Sequence, residues 1–243
     1  MDAIVLVGGS GTRLRPVVSD VPKPLAPIEG RPFLDILLAQ LDRFETIRKV
    51  VLAVGYKAEK IIEHYRGCKI YRFGVAFSTE EYPLGTGGAI KKALSLTSSA
   101  QVLILNGDSY VEFDLTELNE AHLAHNAIAT LTVAKVNNIS RYGSVQFDMP
   151  TMRIVRFEEK GRTQGEGWIN AGCYLADRRV FDAFEIGKPI SLEQEILPSL
   201  VPEETIFAHM STGMFIDIGT PESYEMAVKI LAGLARNHKP ISS

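Results

Sequence analysis

The hydrophobic positions of this chain fall into two kinds of pattern over the first 136 residues. Short apolar runs predict buried strands, and segments whose apolar positions recur every three or four residues predict helices. The predicted strands are Ala3–Val7, Lys49–Val54, Ile70–Phe77, Val102–Leu105 and Ala129–Val136. The predicted helices between them are Phe33–Phe44, Ala58–Tyr65, Gly88–Leu96 and Leu115–His125. This alternation predicts a mainly parallel sheet with helices on both faces.

The pattern changes after Val136. Strands joined by turns are predicted at Ser144–Phe147, Arg153–Glu158 and Trp168–Leu175, and helices at Arg179–Phe184, Leu192–Leu200 and Glu222–Ala235. We therefore expect an α/β fold of the Rossmann-like kind, with a mixed, mainly parallel sheet flanked by helices and a smaller antiparallel C-terminal subregion. Because no linker or repeat divides the chain, a single domain is predicted over residues 1–243.

Composition narrows the functional classes. The net charge of the 243-residue chain is -3 and no basic run occurs, which argues against nucleic-acid binding. No apolar stretch approaches the roughly 20 residues of a membrane-spanning helix, so no membrane association is expected. The two cysteines, Cys68 and Cys173, are far apart in sequence, which is typical of a reducing compartment. We expect a cytoplasmic protein.

Three glycines follow the first predicted strand, at the edge where doubly wound sheets bind ligands. Gly8, Gly9 and Gly11 would let backbone amides approach an anion closely, while Thr12 adds a hydroxyl and Arg13 a planar cation suited to phosphate. The spacing matches neither the dinucleotide-binding Gly-x-Gly-x-x-Gly pattern nor a Walker loop. A tight turn would also use such glycines, so these residues alone leave both readings open.

Two acidic residues lie where strands are expected to end. Asp108 follows an apolar strand, and Asp217 lies inside an apolar stretch, where an unpaired carboxylate would cost several kcal/mol. A carboxylate at position 217 therefore needs either a cation or hydrogen-bond donors. An Asp-initiated turn is the alternative for Asp108.

The run Gly-Gly-Ser-Gly-Thr-Arg-Leu-Arg-Pro, followed by Pro-Lys-Pro-Leu at 22–25, resembles the signature of the sugar-1-phosphate nucleotidyltransferases. Further segments occur in that family's order between residue 3 and about residue 225: Asn106-Gly-Asp108, Tyr142-Gly143, Glu158-Glu-Lys160, Asn170-Ala-Gly172 and Asp217-Ile-Gly-Thr-Pro. One departure is Gly161, which stands where the family usually has proline after the lysine. The resemblance implies a nucleotide-binding part at 1–136 and a sugar-phosphate-binding part at 137–236.

The same resemblance implies roles for individual residues. The catalytic residues would be Arg13, Lys23 and Asp108, and the ligands of a Mg²⁺ cofactor would be Asp108 and Asp217. The nucleotide would contact Leu6, Gly8, Gly9, Gly11, Thr12, Arg13, Glu80, Pro83, Gly85, Thr86 and Asp108. The sugar phosphate would contact Asn106, Gly143, Glu158, Lys160, Asn170 and Gly172. The expected partners are GTP and a sugar 1-phosphate, and a homo-oligomer is compatible with the sequence.

Glu80 carries the prediction of the base. In the family, the residue three before Pro83 reads the base edge, and enzymes using UTP or dTTP typically have glutamine there. A carboxylate only accepts hydrogen bonds at pH 7, and guanine offers it two adjacent donors, whereas uracil and thymine flank their single N–H with carbonyls. GTP is therefore expected. If Glu80 or Glu81 faces solvent instead, uracil, thymine and cytosine stay open.

The expected sugar substrate and the expectation that the protein is catalytically active both rest on the resemblance. The chain is similar to short guanylyltransferases acting on D-glycero-α-D-manno-heptose 1-phosphate, and mannose 1-phosphate is the alternative substrate. A non-catalytic sugar-nucleotide-binding paralogue is a second alternative, against which the intact Arg13, Lys23, Asp108 and Asp217 argue. A glycosyltransferase is disfavoured because those enzymes need Asp-x-Asp, and the motif at Asp108 is Gly-Asp-Ser.

Overall fold

The computed structural model describes residues 1–158, 161, 164–211 and 213–236. Strands are numbered in chain order as β1 (Asp2–Leu6), β2 (Pro27–Ile28), β3 (Arg31–Pro32), β4 (Lys49–Val54), β5 (Gly74–Thr79), β6 (Gln101–Asn106), β7 (Ser109–Val111), β8 (Ala129–Val136), β9 (Val145–Phe147), β10 (Ile154–Phe157), β11 (Gly167–Asp177), β12 (Ile206–Met210) and β13 (Phe215–Asp217). Helices are α1 (Phe33–Asp42), α2 (Ala58–Tyr65), α3 (Gly85–Ala93), α4 (Leu115–Ala124), α5 (Leu197–Leu200) and α6 (Pro221–Arg236).

Within the described residues, the central sheet has seven strands in the order β12-β8-β11-β6-β1-β4-β5. Strand β11 runs antiparallel to both of its neighbours, and the other adjacent pairs are parallel. The small pairs β2–β3, β7–β13 and β9–β10 are antiparallel. The predicted fold class, a mixed and mainly parallel sheet with antiparallel additions, is confirmed.

Both faces of the sheet are covered, which explains why its central strands are apolar throughout. Successive side chains of a strand point to opposite faces. Val5 belongs to a cluster that contains apolar residues of α1, α2, α4 and α6, and Ile4 belongs to a second cluster with α3 and α5. Burying both faces favours the parallel arrangement. Among the helices of the described ranges, none has the length and apolar character needed to cross a bilayer.

The structure shifts or adds several elements relative to the predictions. The third strand starts at Gly74 rather than Ile70, because the chain before it bends and stacks Tyr71 on Phe73 with ring centroids 5.1 Å apart. The predicted helix at Leu192–Leu200 begins with a π-helical turn, since the amides of Glu195 and Ile196 share one carbonyl. Strands β2, β3, β7 and β12 were not predicted, and the predicted helix at Arg179–Phe184 is only a 3-10 turn over Arg178–Phe181. Strand β12 joins the central sheet parallel to β8, so the C-terminal half is only partly antiparallel.

The β7–β13 pair sets the geometry of the predicted site. Its register places Asp217 opposite Ser109, and the Ile218 amide donates to the Asp108 carbonyl at 2.9 Å. Asp108 lies in the turn between β6 and β7, and Asp217 is the last residue of β13. Asp108 and Asp217 therefore meet at the carboxyl edge of the sheet, although 109 positions separate them in the sequence.

Candidate active site

The glycine loop follows β1 and runs beside the end of β4. The Gly8 carbonyl accepts from the Tyr56 amide at 3.0 Å, and a Cβ added to Gly8 would lie 3.1 Å from the Gly55 nitrogen. Gly11 has a φ of +58°, a left-handed conformation that glycine adopts without strain. A Cβ on Gly9 would meet no atom within 4 Å. The loop therefore turns at Gly11 and leaves the backbone of Gly9 open.

The side chains that the sequence assigns to phosphate binding lie on the surface of this loop. Thr12 and Arg13 are both exposed, and Arg13 makes no hydrogen bond or ion pair with any other described residue. The segment that follows contacts the start of α2, because Nζ of Lys57, the residue before that helix, donates to the Ser19 carbonyl at 2.6 Å. The guanidinium of Arg13 is therefore not paired with any acceptor of the described residues.

Lys23 and Asp108 form an ion pair beside the loop. Lys23 Nζ lies 2.7 Å from Asp108 Oδ2, with 9% of the lysine side chain exposed and 49% of the aspartate side chain. Gly107 brings this aspartate close to β1, since its amide donates to the Leu6 carbonyl at 2.9 Å and a Cβ would lie 2.5 Å from that oxygen. The structure thereby brings four predicted positions together: the strand end at Leu6, the loop, Lys23 and Asp108.

Asp217 is buried and surrounded by donors. Its Oδ1 accepts from the Gly219 amide at 2.6 Å and from Ser223 Oγ at 3.0 Å, and its Oδ2 accepts from the Tyr142 hydroxyl. Arg141 Nη2 reaches both oxygens, at 3.3 and 3.2 Å. Burial alone would raise the pKa of Asp217, but these hydrogen bonds and the Arg141 charge hold that pKa below its usual value. Asp217 is therefore ionised near neutral pH.

Asp108 pairs with the ammonium of Lys23, and Asp217 lies near the same ammonium, because both are close to Gly219. A Cβ placed on Gly219 would be 2.6 Å from Asp217 Oδ1 and 3.7 Å from Lys23 Nζ. The second carboxylate oxygen of Asp108 has no partner among the described residues. A hard divalent cation needs such a free carboxylate oxygen as a ligand. Within the described ranges, no cluster of three or more His, Cys, Asp or Glu residues could hold a metal. These residues fit an ion that takes two protein carboxylates and fills its other positions with water and phosphate oxygens.

Several predicted sugar-contacting residues meet at a bulge in β11. Gly172 has a φ of +77°, and a Cβ there would lie 2.8 Å from both Asn106 Nδ2 and Ser109 Oγ. Asn170 is engaged within the protein, since its Oδ1 accepts from the Gly172 amide at 2.9 Å and its Nδ2 donates to the Tyr174 hydroxyl at 2.8 Å. Asn106 Oδ1 is buried and has no partner among the described residues. Asn106 is therefore the member of this group with an unused acceptor.

The remaining sugar-side predictions concern the loops after β8 and β10. Gly143 has a φ of +76°, so its position requires a residue that tolerates left-handed backbone. Glu158 accepts from Ser144 Oγ at 3.0 Å and from Gln146 Nε2 at 2.9 Å, which anchors it to β9 and the residue before it. Lys160 lies outside the described residues.

Glu80 turns inward at the end of β5. Its Oε2 would be 3.3 Å from a Cβ on Gly55 and accepts weakly from the Leu84 amide at 3.4 Å. Burial raises the pKa of Glu80 above its usual value, although the Leu84 amide acts in the opposite direction. Glu81 and Pro83 are exposed. Of the two glutamates in this segment, Glu80 is the one that turns inward, beside the Gly8–Gly55 contact, and it is also the residue predicted to read the base.

Gly85 and Thr86 both contact the segment before α5, although Gly85 is exposed and Thr86 is partly exposed. A Cβ on Gly85 would lie 2.6 Å from the Ile190 carbonyl oxygen, which accepts from the Gly87 amide at 2.9 Å. Thr86 Oγ1 donates to Glu193 Oε2 at 2.7 Å. The first turn of α3 is therefore capped by the segment before α5.

A groove of about 620 Å³ lies elsewhere, and none of the predicted site residues lines it. It is bordered by the following residues of α1, of the segment before β5 and of the adjoining elements: Arg31, Asp35, Ile36, Ala39, Asp42, Arg43, Ile70, Tyr71, Arg72 and Ala235. The residues of the glycine loop, Lys23 and the two carboxylates instead share an open edge of the sheet.

Sequence reasoning missed the residues that hold the predicted site in place. Arg141 and Tyr142 both contact Asp217, yet only the Tyr-Gly motif marked this turn in the sequence. Ser223 lies in the first turn of α6, three residues after Thr220, and no sequence motif marked its hydroxyl as a donor to Asp217. Nothing in the sequence pairs Glu193 with Thr86, since the contact spans 107 positions.

Comparisons with known proteins show which chains this one is similar to. A D-glycero-alpha-D-manno-heptose 1-phosphate guanylyltransferase of Aneurinibacillus thermoaerophilus is 40% identical over 231 residues, which cover 95% of this chain and 98% of that protein. A mannose-1-phosphate guanylyltransferase of Mycobacterium tuberculosis is 34% identical over 242 residues, 99% of this chain and 66% of that protein.

A solved structure and a family model extend the comparison. The crystal structure of HddC from Yersinia pseudotuberculosis complexed with GMP-PN superposes with a TM-score of 0.81 at 34% sequence identity, covering 95% of this chain and 99% of that one. The model of the nucleotidyl transferase family matches residues 2–232. The chain therefore belongs to the nucleotidyl transferase family.

Proposed function

We propose that this protein transfers GMP from GTP to a sugar 1-phosphate, releasing pyrophosphate and forming a GDP-sugar. The observation that carries the proposal is the Lys23 ammonium, which pairs with Asp108 and lies beside Asp217 at the foot of the glycine loop. Such a site can gather two anionic substrates around fixed positive charge. The names of the similar guanylyltransferases support guanine and a sugar 1-phosphate as the substrate classes.

The reaction needs neither a protein nucleophile nor a general base, because the attacking phosphate oxygen is already anionic. Catalysis then rests on positioning and on balancing charge at the α-phosphate. The open backbone at Gly9, the Thr12 hydroxyl and the exposed Arg13 would bind the β- and γ-phosphates. Lys23 would bind an α-phosphate oxygen and stabilise the charge that develops as pyrophosphate leaves. Asp108 orients Lys23 for this task.

Asp108 and Asp217 would hold Mg²⁺. The bound cation would supply further positive charge to the phosphate oxygens, as in other phosphoryl-transfer sites. The chain's own part is to keep both carboxylates ionised and fixed. The Gly219 amide and Ser223 hydroxyl do so for Asp217.

Guanine would be recognised by Glu80. Its carboxylate lies beside the Gly8–Gly55 contact, at the end of β5, and can accept from two adjacent N–H donors of guanine. A pyrimidine that presents a carbonyl to this carboxylate would leave it unpaired and half-buried, which costs about 1–3 kcal/mol. Selectivity therefore comes from rejection as much as from attraction.

The sugar 1-phosphate would bind on the side of β11, in the part of the chain from 137 to 236. Asn106, whose buried Oδ1 has no partner among the described residues, would accept from a sugar hydroxyl, and Gly143, Glu158, Lys160, Asn170 and Gly172 would make up the rest of the proposed sugar-phosphate set. We favour D-glycero-α-D-manno-heptose 1-phosphate, since the 40% identical relative carries that name and matches 98% of its own length. Mannose 1-phosphate is the alternative.

One assay tests the proposal. Pyrophosphate release is measured with GTP, UTP, dTTP and CTP, each with heptose, mannose or glucose 1-phosphate and Mg²⁺. We expect turnover with GTP and the heptose phosphate, and loss of turnover when EDTA is added. Turnover with UTP but not GTP would refute the base assignment. An absence of product with every pair, while GDP-heptose still binds, would favour a non-catalytic paralogue.

A further inference from the structure

Arg141 contacts Asp217 in a way that differs from the other donors. A single guanidinium nitrogen, Nη2, reaches both carboxylate oxygens at 3.3 and 3.2 Å, whereas charge-assisted pairs usually measure about 2.7–2.9 Å. The Arg141 side chain is 43% exposed, while that of Asp217 is 12% exposed. The guanidinium also lies 5.2 Å above the ring of Tyr142. This is a long contact that opens to solvent.

The other donors to Asp217 cannot leave so easily. The Gly219 amide is part of the backbone, Ser223 Oγ belongs to the first turn of α6, and the Tyr142 ring packs against Phe215 with centroids 5.5 Å apart. Among the described residues around this carboxylate, Arg141 is thus the donor that a side-chain rotation can remove. A second cation at Asp217 would meet the Arg141 charge, so the two cations would compete.

The turn that carries Arg141 also borders the proposed sugar-phosphate site. The Ser140 carbonyl accepts from the Gly161 amide at 3.0 Å, and the Glu158 amide donates to the Ser144 carbonyl at 2.9 Å. Arg141 therefore lies between Asp217 and the loops that flank the predicted Glu158–Lys160 segment. Its planar guanidinium matches a phosphate better than an ammonium does.

We propose that Arg141 is an exchangeable counter-ion of Asp217: it pairs with this carboxylate in the empty site, gives way to the divalent cation, and then binds the phosphate of the sugar 1-phosphate. The proposal rests on the proposed function of the site. It makes Arg141 a substrate-binding residue that the sequence motifs did not mark. It also explains how one carboxylate can be saturated with donors and still serve a cation.

The first half of the proposal is tested without turnover. Mn²⁺ is titrated into the nucleotide-free protein and its free concentration is followed by electron paramagnetic resonance. We expect Arg141→Gln to bind Mn²⁺ roughly three- to five-fold more tightly than the unsubstituted protein, about what the loss of one exposed competing ion pair allows. Arg179→Gln is the matched control, because Arg179 is 73% exposed, pairs with Asp177 and is remote from the site. Equal Mn²⁺ affinity in all three proteins would overturn the exchange.

The second half is tested by steady-state kinetics. Arg141→Gln should raise KM for the sugar 1-phosphate about ten-fold or more, leave KM for GTP nearly unchanged, and be partly rescued by Arg141→Lys. An unchanged KM for the sugar 1-phosphate would overturn the phosphate-binding role. If the unsubstituted protein makes no GDP-sugar at all, the proposed function fails, and the Mn²⁺ titration still decides whether Arg141 competes for Asp217.

Discussion

Lys23 Nζ and Asp108 Oδ2 lie 2.7 Å apart although the residues are separated by 85 positions. The lysine is nearly buried, and the aspartate is half exposed. The pair joins the short turn after the glycine loop to the end of β6. A buried ammonium held in this way has a fixed position before any substrate arrives, which is what electrostatic stabilisation of a transition state requires.

Replacing Lys23 should therefore affect the chemical step more than binding. We expect Lys23→Ala to lower kcat by about 10²–10³-fold, the usual effect of removing one preorganised electrostatic group, and to change KM for GTP much less. Because half of the Asp108 side chain is exposed, water can solvate the freed carboxylate and the variant should fold. Steady-state kinetics with Lys69→Ala, an exposed lysine, as control provide the measurement. Full kcat in Lys23→Ala would exclude this role.

The glycine loop can be tested by a substitution that the free protein tolerates. A Cβ on Gly9 meets no atom within 4 Å and its φ is not positive, so Gly9→Ala should leave the melting temperature unchanged. If phosphates approach this backbone, the same methyl group should raise the Kd for GTP at least about ten-fold, the effect of losing about 1.4 kcal/mol.

Gly74→Ala serves as the matched control, because Gly74 also has open space around a Cβ but lies at the start of β5, away from the loop. Isothermal titration with GTP and thermal unfolding would be run on both variants. Equal GTP affinity in Gly9→Ala and the unsubstituted protein would show that the loop only turns.

The sequence allowed the sheet and the two carboxylates to be predicted because these signals are local. Apolar runs mark strands buried on both faces, and an acid at the end of such a run must lie at the edge of the sheet, as Asp108 does. The turn at the glycine loop is also local, since Gly11 has the positive φ that glycine adopts without strain.

Contacts made across long sequence separations could not be predicted. The Arg141–Asp217 pair spans 76 positions, and the Thr86–Glu193 pair spans 107. No single-sequence pattern states which side chains face each other once loops have packed. The family resemblance assigned Thr86 to the nucleotide, whereas in the structure the Thr86 hydroxyl donates to Glu193 Oε2. Asp217 was expected to need a cation or hydrogen-bond donors, and which donors it has depends on the packing of the turn at Arg141.

The base preference depends on one inward carboxylate. Glu80→Gln should lower kcat/KM for GTP by about 10–100-fold and raise that for UTP, because an amide can both donate to and accept from a pyrimidine edge. Glu81→Gln is the matched control, since the neighbouring side chain is exposed. Competition assays with equal GTP and UTP give the ratio directly. If Glu81→Gln shifts the ratio and Glu80→Gln does not, the reading residue has been misassigned.

The same carboxylate should make stability depend on pH. Burial raises the pKa of Glu80 in the folded protein above its value in the unfolded chain. Between these two pKa values the folded state binds more protons, so stability falls as pH rises through that interval, and the loss persists at neutral pH. Glu80→Gln removes this ionisation. Its melting temperature should exceed that of the unsubstituted protein at pH 7.5, and the difference should close as the pH falls below the ordinary pKa of a glutamate.

Saturating GTP should reverse this order at pH 7.5. At a fixed GTP concentration the stabilisation of the folded protein grows with the logarithm of the affinity, and the Glu80 carboxylate is expected to bind guanine more tightly than the glutamine amide does. The unsubstituted protein should then melt above Glu80→Gln in GTP, and below it without nucleotide. A Glu80 that is only a strained, half-buried carboxylate would leave Glu80→Gln the more stable protein under both conditions. Thermal unfolding at pH 4 and 7.5, with and without GTP, shows whether the Glu80 carboxylate only destabilises the folded protein or also binds guanine.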